Sequence, residues 1–258
     1  MFERLISRIK GLENKILPNN TESKNNYSLS QENGSVFSPE DINVNGKLDE
    51  AFSQGDAGDC WLLSSILAMS YSESGKQVLS DSITPLANGD IKVSFDGNKT
   101  EYTVSESELI EQNKQFGDKT SYYSTGDDDV LAVELAIEKM VADDSVNTKF
   151  SIADGGNPYS VFKTFGADEL KIASAKDELN EALAHFQDIE NDCSMTLGVI
   201  EQSVCGLKAN HAYTVKNVDD ENVTLIDPWD TSEEITVNRT DLINSYEHLN
   251  IIHAEFGT

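Results

Sequence analysis

The stretch Gln54-Gly55-Asp56-Ala57-Gly58-Asp59-Cys60-Trp61-Leu62-Leu63 decides the fold. It places a cysteine where a glycine-containing loop meets a long apolar run, with a glutamine six positions upstream. The run from Cys60 to Tyr71 is apolar almost all round, which is typical of a helix buried through the middle of a domain. Because the glycines interrupt the chain just before it, we expect Cys60 in the first helical turn. The helix dipole and the free N–H groups there stabilise a thiolate.

Four histidines are candidates for a base that works with this thiol: His185, His211, His248 and His253. His185 belongs to a helical pattern, and the last two lie near the C-terminus. His211 alone follows a glycine-containing turn and leads directly into a β-rich run. Asp227 lies at the end of the next β-rich run, where its carboxylate could orient the imidazole and stabilise its charged form.

These residues together predict cysteine-based acyl transfer. Cys60 is the candidate nucleophile, His211 the base and Asp227 its orienting group. The side-chain amide of Gln54 would bind the developing oxyanion beside the N–H of Cys60. Trp229 would shield the histidine–aspartate hydrogen bond from water. Taken singly, a cysteine is usually a buried structural residue and an aspartate before proline usually starts a turn; the combination favours the catalytic interpretation.

The chain changes character along its length. Residues 1–40 read as an amphipathic helix followed by a flexible arm rich in Asn, Ser, Glu and Gly. Residues 41–258 read as a catalytic core, with helices prevailing over about 51–190 and β-rich runs over about 191–258. Within it the pattern predicts a hairpin over Asp90–Val104 and helices over Val130–Ala142 and Ala175–Ile189. The prediction is an α+β fold in which a helical lobe carries the cysteine and an antiparallel β lobe carries the histidine and the aspartate.

Composition limits the partners. With Lys+Arg 19 against Asp+Glu 46, the net charge of −27 repels nucleic acids and anionic membranes. It favours cationic peptides or divalent ions, although excess acid often serves solubility alone. No run of 18 apolar residues predicts a membrane span, and three cysteines do not indicate a disulfide framework. Compartment and oligomeric state stay open.

Three segments carry a resemblance to a known family. The Gln54–Leu63 stretch, Gly206-Leu207-Lys208-Ala209-Asn210-His211-Ala212-Tyr213 and Leu225-Ile226-Asp227-Pro228-Trp229 together resemble the calpain-type catalytic core of the papain-like cysteine peptidases. The resemblance covers roughly residues 51–256 and implies a stand-alone, bacterial-type core with a papain-like two-lobe fold. It implies endopeptidase activity on proteins or peptides, with Cys60, His211 and position 227 as the triad and Gln54 at the oxyanion.

The chain departs from the family pattern at two positions. The family normally has Asn where this chain has Asp227, and Gly where it has Asp230. An aspartate can still orient a histidine, so we expect retained activity; efficiency and pH optimum stay open.

Metal binding is a separate question. Animal calpain cores bind calcium, and Asp41-Ile42-Asn43-Val44-Asn45-Gly46-Lys47-Leu48-Asp49 carries oxygen-bearing residues at positions 1, 3 and 5 and a glycine at 6 of an EF-hand-like loop. Position 12 is Phe52 instead of the bidentate Glu, so an Asx-rich turn is the stronger interpretation. No Cys/His cluster has zinc spacing. The sequence therefore predicts no metal ligands and no cofactor for the chemistry, with calcium left open.

Three alternatives remain. The thioester could pass its acyl group to an amine, as in a transglutaminase. The chain could be a non-catalytic binding descendant of the fold, or a latent enzyme whose residues 1–50 cover the cleft.

Overall fold

The computed structural model describes residues 44–46, 51–114, 121–143, 152, 155–189 and 193–257. The predicted N-terminal helix and arm lie outside the described residues. The α-helices are α1 Cys60–Tyr71, α2 Glu73–Ser82, α3 Glu106–Lys114, α4 Asp128–Ala142, α5 Pro158–Phe165, α6 Lys176–Asp188 and α7 Arg239–Asn244. The strands are β1 Ile83–Pro85, β2 Ile91–Phe95, β3 Thr100–Val104, β4 Glu169–Ala173, β5 Ser194–Val199, β6 His211–Val218, β7 Asn222–Asp227, β8 Asp230–Asn238 and β9 Leu249–Glu255.

The strands form two antiparallel sheets. The smaller has the order β1-β2-β3 and contains the hairpin that the sequence predicted. The larger has the order β4-β9-β5-β6-β7-β8. This mixture of helices and antiparallel sheet agrees with the predicted α+β class.

Helix α1 is the central element of the core. Its residues from Trp61 to Ser70 are all buried, as the uniformly apolar sequence predicts. It packs against β5 and β6 of the large sheet and against α2, α4 and α5. The Thr214 hydroxyl on β6 donates to the carbonyl of Ser64 at 2.7 Å, which fixes the helix on the sheet.

Helices cover both faces of the large sheet, as the burial of side chains on strand β9 shows. Leu249 and Ile251 belong to one buried cluster together with α6, whereas Ile252 and Ala254 belong to the cluster that contains α1. Alternate residues of a strand point to opposite faces. The six-stranded sheet therefore lies between α1 with α5 on one face and α6 with α7 on the other.

The structure differs from the sequence interpretation near residue 190. Strand β4 pairs with β9, and α6 packs against β4, β6 and β9. Both elements precede residue 190 but belong with the large sheet, because β4 is one of its strands and the apolar side chains of α6 are buried against it. The sequence also gave no indication of α2, α3, α7 and β1. No helix among the described residues is long and apolar enough to cross a membrane.

Candidate active site

Cys60 is the first residue of α1, as the sequence predicted, and its side chain is half-buried. Two glycines allow close packing around this residue. A Cβ on Gly55 would lie 2.3 Å from the carbonyl oxygens of Ser121 and Tyr123, and one on Gly156 would lie 2.4 Å from the Trp61 indole. Only glycine allows backbone to pass this close. The loop before the cysteine is therefore held tightly against its neighbours.

The same loop is joined to the end of β7, where the acidic site residue lies. The N–H of Gln54 donates to the Pro228 carbonyl at 2.8 Å. The N–H of Phe52 donates to the Thr231 hydroxyl at 2.9 Å, and that hydroxyl donates back to the Phe52 carbonyl at 2.6 Å. These bonds bring the cysteine-bearing segment to the turn that follows Asp227.

His211, the first residue of β6, is buried and bonded to Asp227. Its Nε2 lies 2.7 Å from Asp227 Oδ1. The Cys60 side chain also hydrogen-bonds the His211 ring. Since Nε2 faces the carboxylate, Nδ1 is the nitrogen left for the sulfur. Burial alone would lower the pKa of His211, but the hydrogen bonds with Asp227 and Cys60 outweigh it and raise the pKa to about 9. The ring is therefore stabilised as an imidazolium.

The Asp227 carboxylate accepts hydrogen bonds from two groups besides His211. The Trp229 N–H donates to its Oδ1 at 3.0 Å, and Lys208 Nζ donates to Oδ2 at 3.1 Å. Burial opposes the charged carboxylate, yet these bonds, with that from His211 the strongest, lower the pKa of Asp227 to about 2. The sequence analysis quoted Lys208 without assigning it a role, because its contact with Asp227 is formed only by folding.

Trp229 lies over the histidine, but it is not itself buried. Its ring centroid is 4.9 Å from that of His211, while 49% of the residue is exposed. Lys208 Nζ sits 3.8 Å from the indole centroid, a cation–π contact. The indole thus covers one side of the histidine ring. The Tyr213 ring packs edge-on against the His211 ring, with their centroids 4.9 Å apart.

Gln54 is half-buried close to the cysteine loop. Its Nε2 donates to the Ala57 carbonyl at 2.7 Å, which occupies one of its two amide hydrogens. Its Oε1 is buried and has no hydrogen-bond partner among the described residues. The side chain is therefore held in the loop, with its amide beside the Asp59 carboxyl.

A pair of buried carboxyl groups lies directly behind the cysteine. Asp59, the residue before α1, and Glu134 on α4 are both fully buried and interact with each other. Burial raises the pKa of Asp59 to about 6, and burial together with Asp59 raises that of Glu134 well above its usual range. Ser124 donates to Glu134 from its N–H at 3.2 and 3.0 Å and from its hydroxyl.

Both carboxyl oxygens of Asp59 are buried without a hydrogen-bond partner among the described residues. Burial and the like charge of Glu134 both oppose two ionised carboxylates here, so we expect the pair to retain a proton at neutral pH. Gln54 also lies beside Asp59, and its side chain works against burial by lowering the pKa of that carboxyl. This pair was not identified from the sequence. Its members are distant along the chain, and acidic residues are normally exposed.

Most of the EF-hand-like segment lies outside the described residues, and calcium binding there stays a prediction to be tested. Of that segment the structure describes Val44, Asn45 and Gly46. The N–H groups of Asn45 and Gly46 donate to Asp129 at 3.0 and 2.9 Å. Calcium binds oxygen ligands, whereas these peptide groups present hydrogens to a carboxylate. The remaining positions of the segment before Ala51 lie outside the described residues.

A thiol, an imidazole and a carboxylate in contact are the groups needed for cysteine-dependent acyl transfer. The comparison with known families agrees with this class. Residues 14–238 match the family model described as calpain family cysteine protease. The chain therefore belongs to the calpain family of cysteine proteases. A search of the curated proteins found no match.

Proposed function

We propose that this chain is a cysteine endopeptidase that hydrolyses peptide bonds of proteins through a thioester intermediate. The observation that carries the proposal is the continuous contact from the Cys60 side chain through the His211 ring to the Asp227 carboxylate. Membership of a protease family supports protein or peptide substrates. The two buried clusters support a papain-like arrangement, with the cleft between the α1 segment and the strands that carry the other two residues.

In the acylation half, the Cys60 thiolate attacks the carbonyl carbon of the scissile bond. The C–N bond then breaks as His211, charged at the start, gives its Nδ1 proton to the leaving amine. Asp227 keeps the ring oriented and stabilises its charged form. The products of this half are the free amine and a thioester on Cys60.

In the deacylation half, neutral His211 takes a proton from a water molecule that attacks the thioester carbonyl. The C–S bond breaks, and the carboxylic acid leaves. The proton on His211 and the regenerated thiolate restore the starting pair. In both halves the tetrahedral oxyanion would accept hydrogen bonds from the Cys60 N–H and from the second amide hydrogen of Gln54.

The test is site-specific labelling followed by cleavage of an unfolded protein substrate. A general thiol-directed epoxide inhibitor should modify Cys60 much faster than Cys205, which is exposed and contacts the Ser245 hydroxyl at 3.6 Å. Cys60→Ala should abolish cleavage, and the matched variant Cys205→Ser should leave it unchanged. Mass spectrometry of the products should show cuts inside the substrate chain. Residual cleavage by Cys60→Ala would reject the assigned nucleophile.

Calcium dependence is tested in the same experiment. The proposed chemistry uses only groups of the chain, so we expect the same labelling rate of Cys60 with calcium and with a chelator. A rate that rises with calcium would give the ion a part in assembling the site.

A further inference from the structure

Three potential metal ligands from distant parts of the chain meet at one end of α6. His185 lies in the last turn of α6, and His253 and Glu255 lie on β9. Each offers a nitrogen or oxygen atom, and these atoms all lie within 4.8 Å of one another. His185 Nε2 is 2.8 Å from Glu255 Oε1, and the two imidazole rings are 5.6 Å apart at 68°.

The local structure explains why polar groups gather at this point. Leu249 and Ile251 of β9 pack into the cluster under α6, and strand alternation puts His253 and Glu255 on that same face. Helix α6 buries Leu179, Ala182, Leu183 and Phe186 against the sheet. The three polar side chains therefore occupy the end of an apolar face, between the helix and the strand.

His253 is the member that the rest of the protein does not account for. It is only 5% exposed, and its Nδ1 is buried with no hydrogen-bond partner among the described residues. A buried polar nitrogen without a partner costs free energy, and native proteins rarely leave one. Lys171, the cross-strand neighbour of His253, is a cation whose Nζ pairs with Glu169 at 3.2 Å. This imidazole therefore lacks a partner that accepts an electron pair from its nitrogen, as a metal ion does.

We propose that His185, His253 and Glu255 bind a divalent transition-metal ion of the Zn²⁺ type, with a water molecule at the fourth position. Two imidazole nitrogens and one carboxylate form a donor set that suits zinc and cobalt, and calcium and magnesium prefer oxygen alone. Ligand atoms about 2 Å from a tetrahedral ion are about 3.3 Å apart. Side-chain shifts on the order of 1 Å therefore close the site.

Neighbouring charges tune the affinity of this site. Glu169 on β4 lies opposite Glu255 in the strand register and adds negative charge beside the ligands. Lys171 opposes an incoming cation. The sequence analysis did not identify this site, because His185 and Glu255 are 70 residues apart and no short motif contains both.

Metal binding here would join the C-terminal turn of α6 to the end of β9. The site is built from residues other than those of the proposed active site, so the two proposals fail independently. Binding to Cys60 and His211 must nevertheless be removed from the measurement, because a thiol with an imidazole also binds zinc. The full-length Cys60→Ala chain is therefore the reference protein.

The test is titration of the metal-free reference protein with Zn²⁺ by calorimetry, repeated with Co²⁺ by absorption spectroscopy. We expect one strong equivalent of zinc and a higher melting temperature with zinc bound. Adding His185→Ala or the nearly isosteric Glu255→Gln should lower the zinc affinity by about tenfold or more, since even residues that only support ligands have effects of this size. His248→Ala, which removes a histidine outside the cluster, should change nothing.

Two controls make the outcome decisive. Lys171→Gln should tighten binding, because it removes an ammonium group near the ion, and Ca²⁺ or Mg²⁺ should not replace zinc. If His185→Ala fails to fold by circular dichroism, the Glu255→Gln result decides. Absence of the strong equivalent in the reference protein would overturn the proposal, and so would equal affinity in the ligand variants and in His248→Ala.

Discussion

Asp227 carries a full charge at a position where the family pattern normally has the neutral asparagine. The structure shows how that charge is balanced. Its carboxylate accepts from His211, from the Trp229 N–H and from Lys208. The charge helps raise the pKa of His211 to about 9. At the scale of a single residue, the exchange of Asn for Asp therefore strengthens the imidazolium, which is the acid of the proposed acylation step.

The first prediction concerns Asp227→Asn. An amide oxygen can still orient the imidazole, so we expect kcat/KM within about tenfold of the parent. Loss of the negative charge lowers the pKa of His211, because the imidazolium loses a partner. The alkaline fall of kcat/KM, expected near pH 9 in the parent, should therefore move to lower pH.

The pH profile of kcat/KM checks this prediction, with Asp227→Ala as the control. The alanine variant removes the orienting group itself and should lose about 100-fold or more. An unshifted alkaline limb in Asp227→Asn would separate the carboxylate from the titration of the histidine.

The second prediction concerns Lys208, which the structure adds to the site. Lys208→Gln should lower kcat/KM less than about tenfold, because a partly exposed ion pair contributes up to about 1 kcal/mol. The effect should largely disappear when Asp227 is already Asn, since the lysine then has no charge to balance. A double-mutant cycle on kcat/KM measures this coupling. Equal effects in both backgrounds would mean that Lys208 acts only through Trp229 or the surface.

The residues that the sequence could identify differ physically from those it could not. Cys60 was recognisable because its helix start and glycines are local features, and His211 and Asp227 because they end or begin neighbouring β-rich runs. Lys208 and Glu134 were missed because their contacts depend on which segments fold together. The catalytic roles of Cys60, His211, Asp227, Gln54 and Trp229 stay predictions that the labelling and kinetic experiments test.

At the scale of elements, the start of α1 depends on the carboxyl pair behind it. The Asp59 side chain makes no capping bond to its own helix, and instead faces Glu134 of α4. Folding raises the pKa of both groups, so the native protein binds a proton that the unfolded chain releases at neutral pH. Such a contribution to stability is complete below the usual pKa and decreases as pH rises through the folded value.

The third prediction is therefore that stability falls as pH rises from about 4 through 6 and above, and that Glu134→Gln reduces this fall. For Asp59 the window runs from the usual 3.8 to about 6. A glutamine can donate to Asp59 without a shared proton. The difference between the two unfolding free energies should change by on the order of 2 kcal/mol across the window.

Denaturant unfolding of Cys60→Ala and of Cys60→Ala with Glu134→Gln, measured at several pH values, tests this prediction without self-cleavage. Glu111→Gln on α3 is the control, since its side chain is exposed and lies outside the pair. Parallel pH curves for the reference and Glu134→Gln proteins would show that the pair holds no proton in this range.

The elements that the sequence predicted are those with a strong apolar pattern. Helix α1 was bounded correctly because nearly all its residues are buried, and α4 and α6 were recovered from their helical periodicity. Helix α2 was missed because it buries only Gly75, Leu79 and Ser82. The local signal for α3 is a capping box, in which Glu108 accepts from the Ser105 N–H and Ser105 from the Glu108 N–H. Neither helix has enough apolar residues to stand out from a loop.

At the scale of the whole molecule, the six-stranded sheet is what brings the distant site residues together. Its order places β4 and β9 at one side and β7 and β8 at the other, and this order cannot be read from strand patterns alone. The sequence analysis placed the change from the helical to the β-rich part of the chain near residue 190, since β-rich runs prevail from there. The packing places the change earlier, at about residue 169, because β4 pairs with β9 and α6 packs on the same sheet.

The fourth prediction follows from the net charge of −27. A protein of this charge attracts cationic substrates over distances comparable to the Debye length, about 10 Å at 0.1 M salt and about 3 Å at 1 M. For two peptides with the same cleavage sequence, one flanked by lysines and one by glutamates, we expect a higher kcat/KM for the lysine peptide at low salt. The ratio of the two kcat/KM values should approach one as salt rises, because screening removes the long-range attraction but leaves contacts in the cleft. A ratio that does not change with salt would place the preference in direct subsite contacts and leave the overall charge to solubility alone.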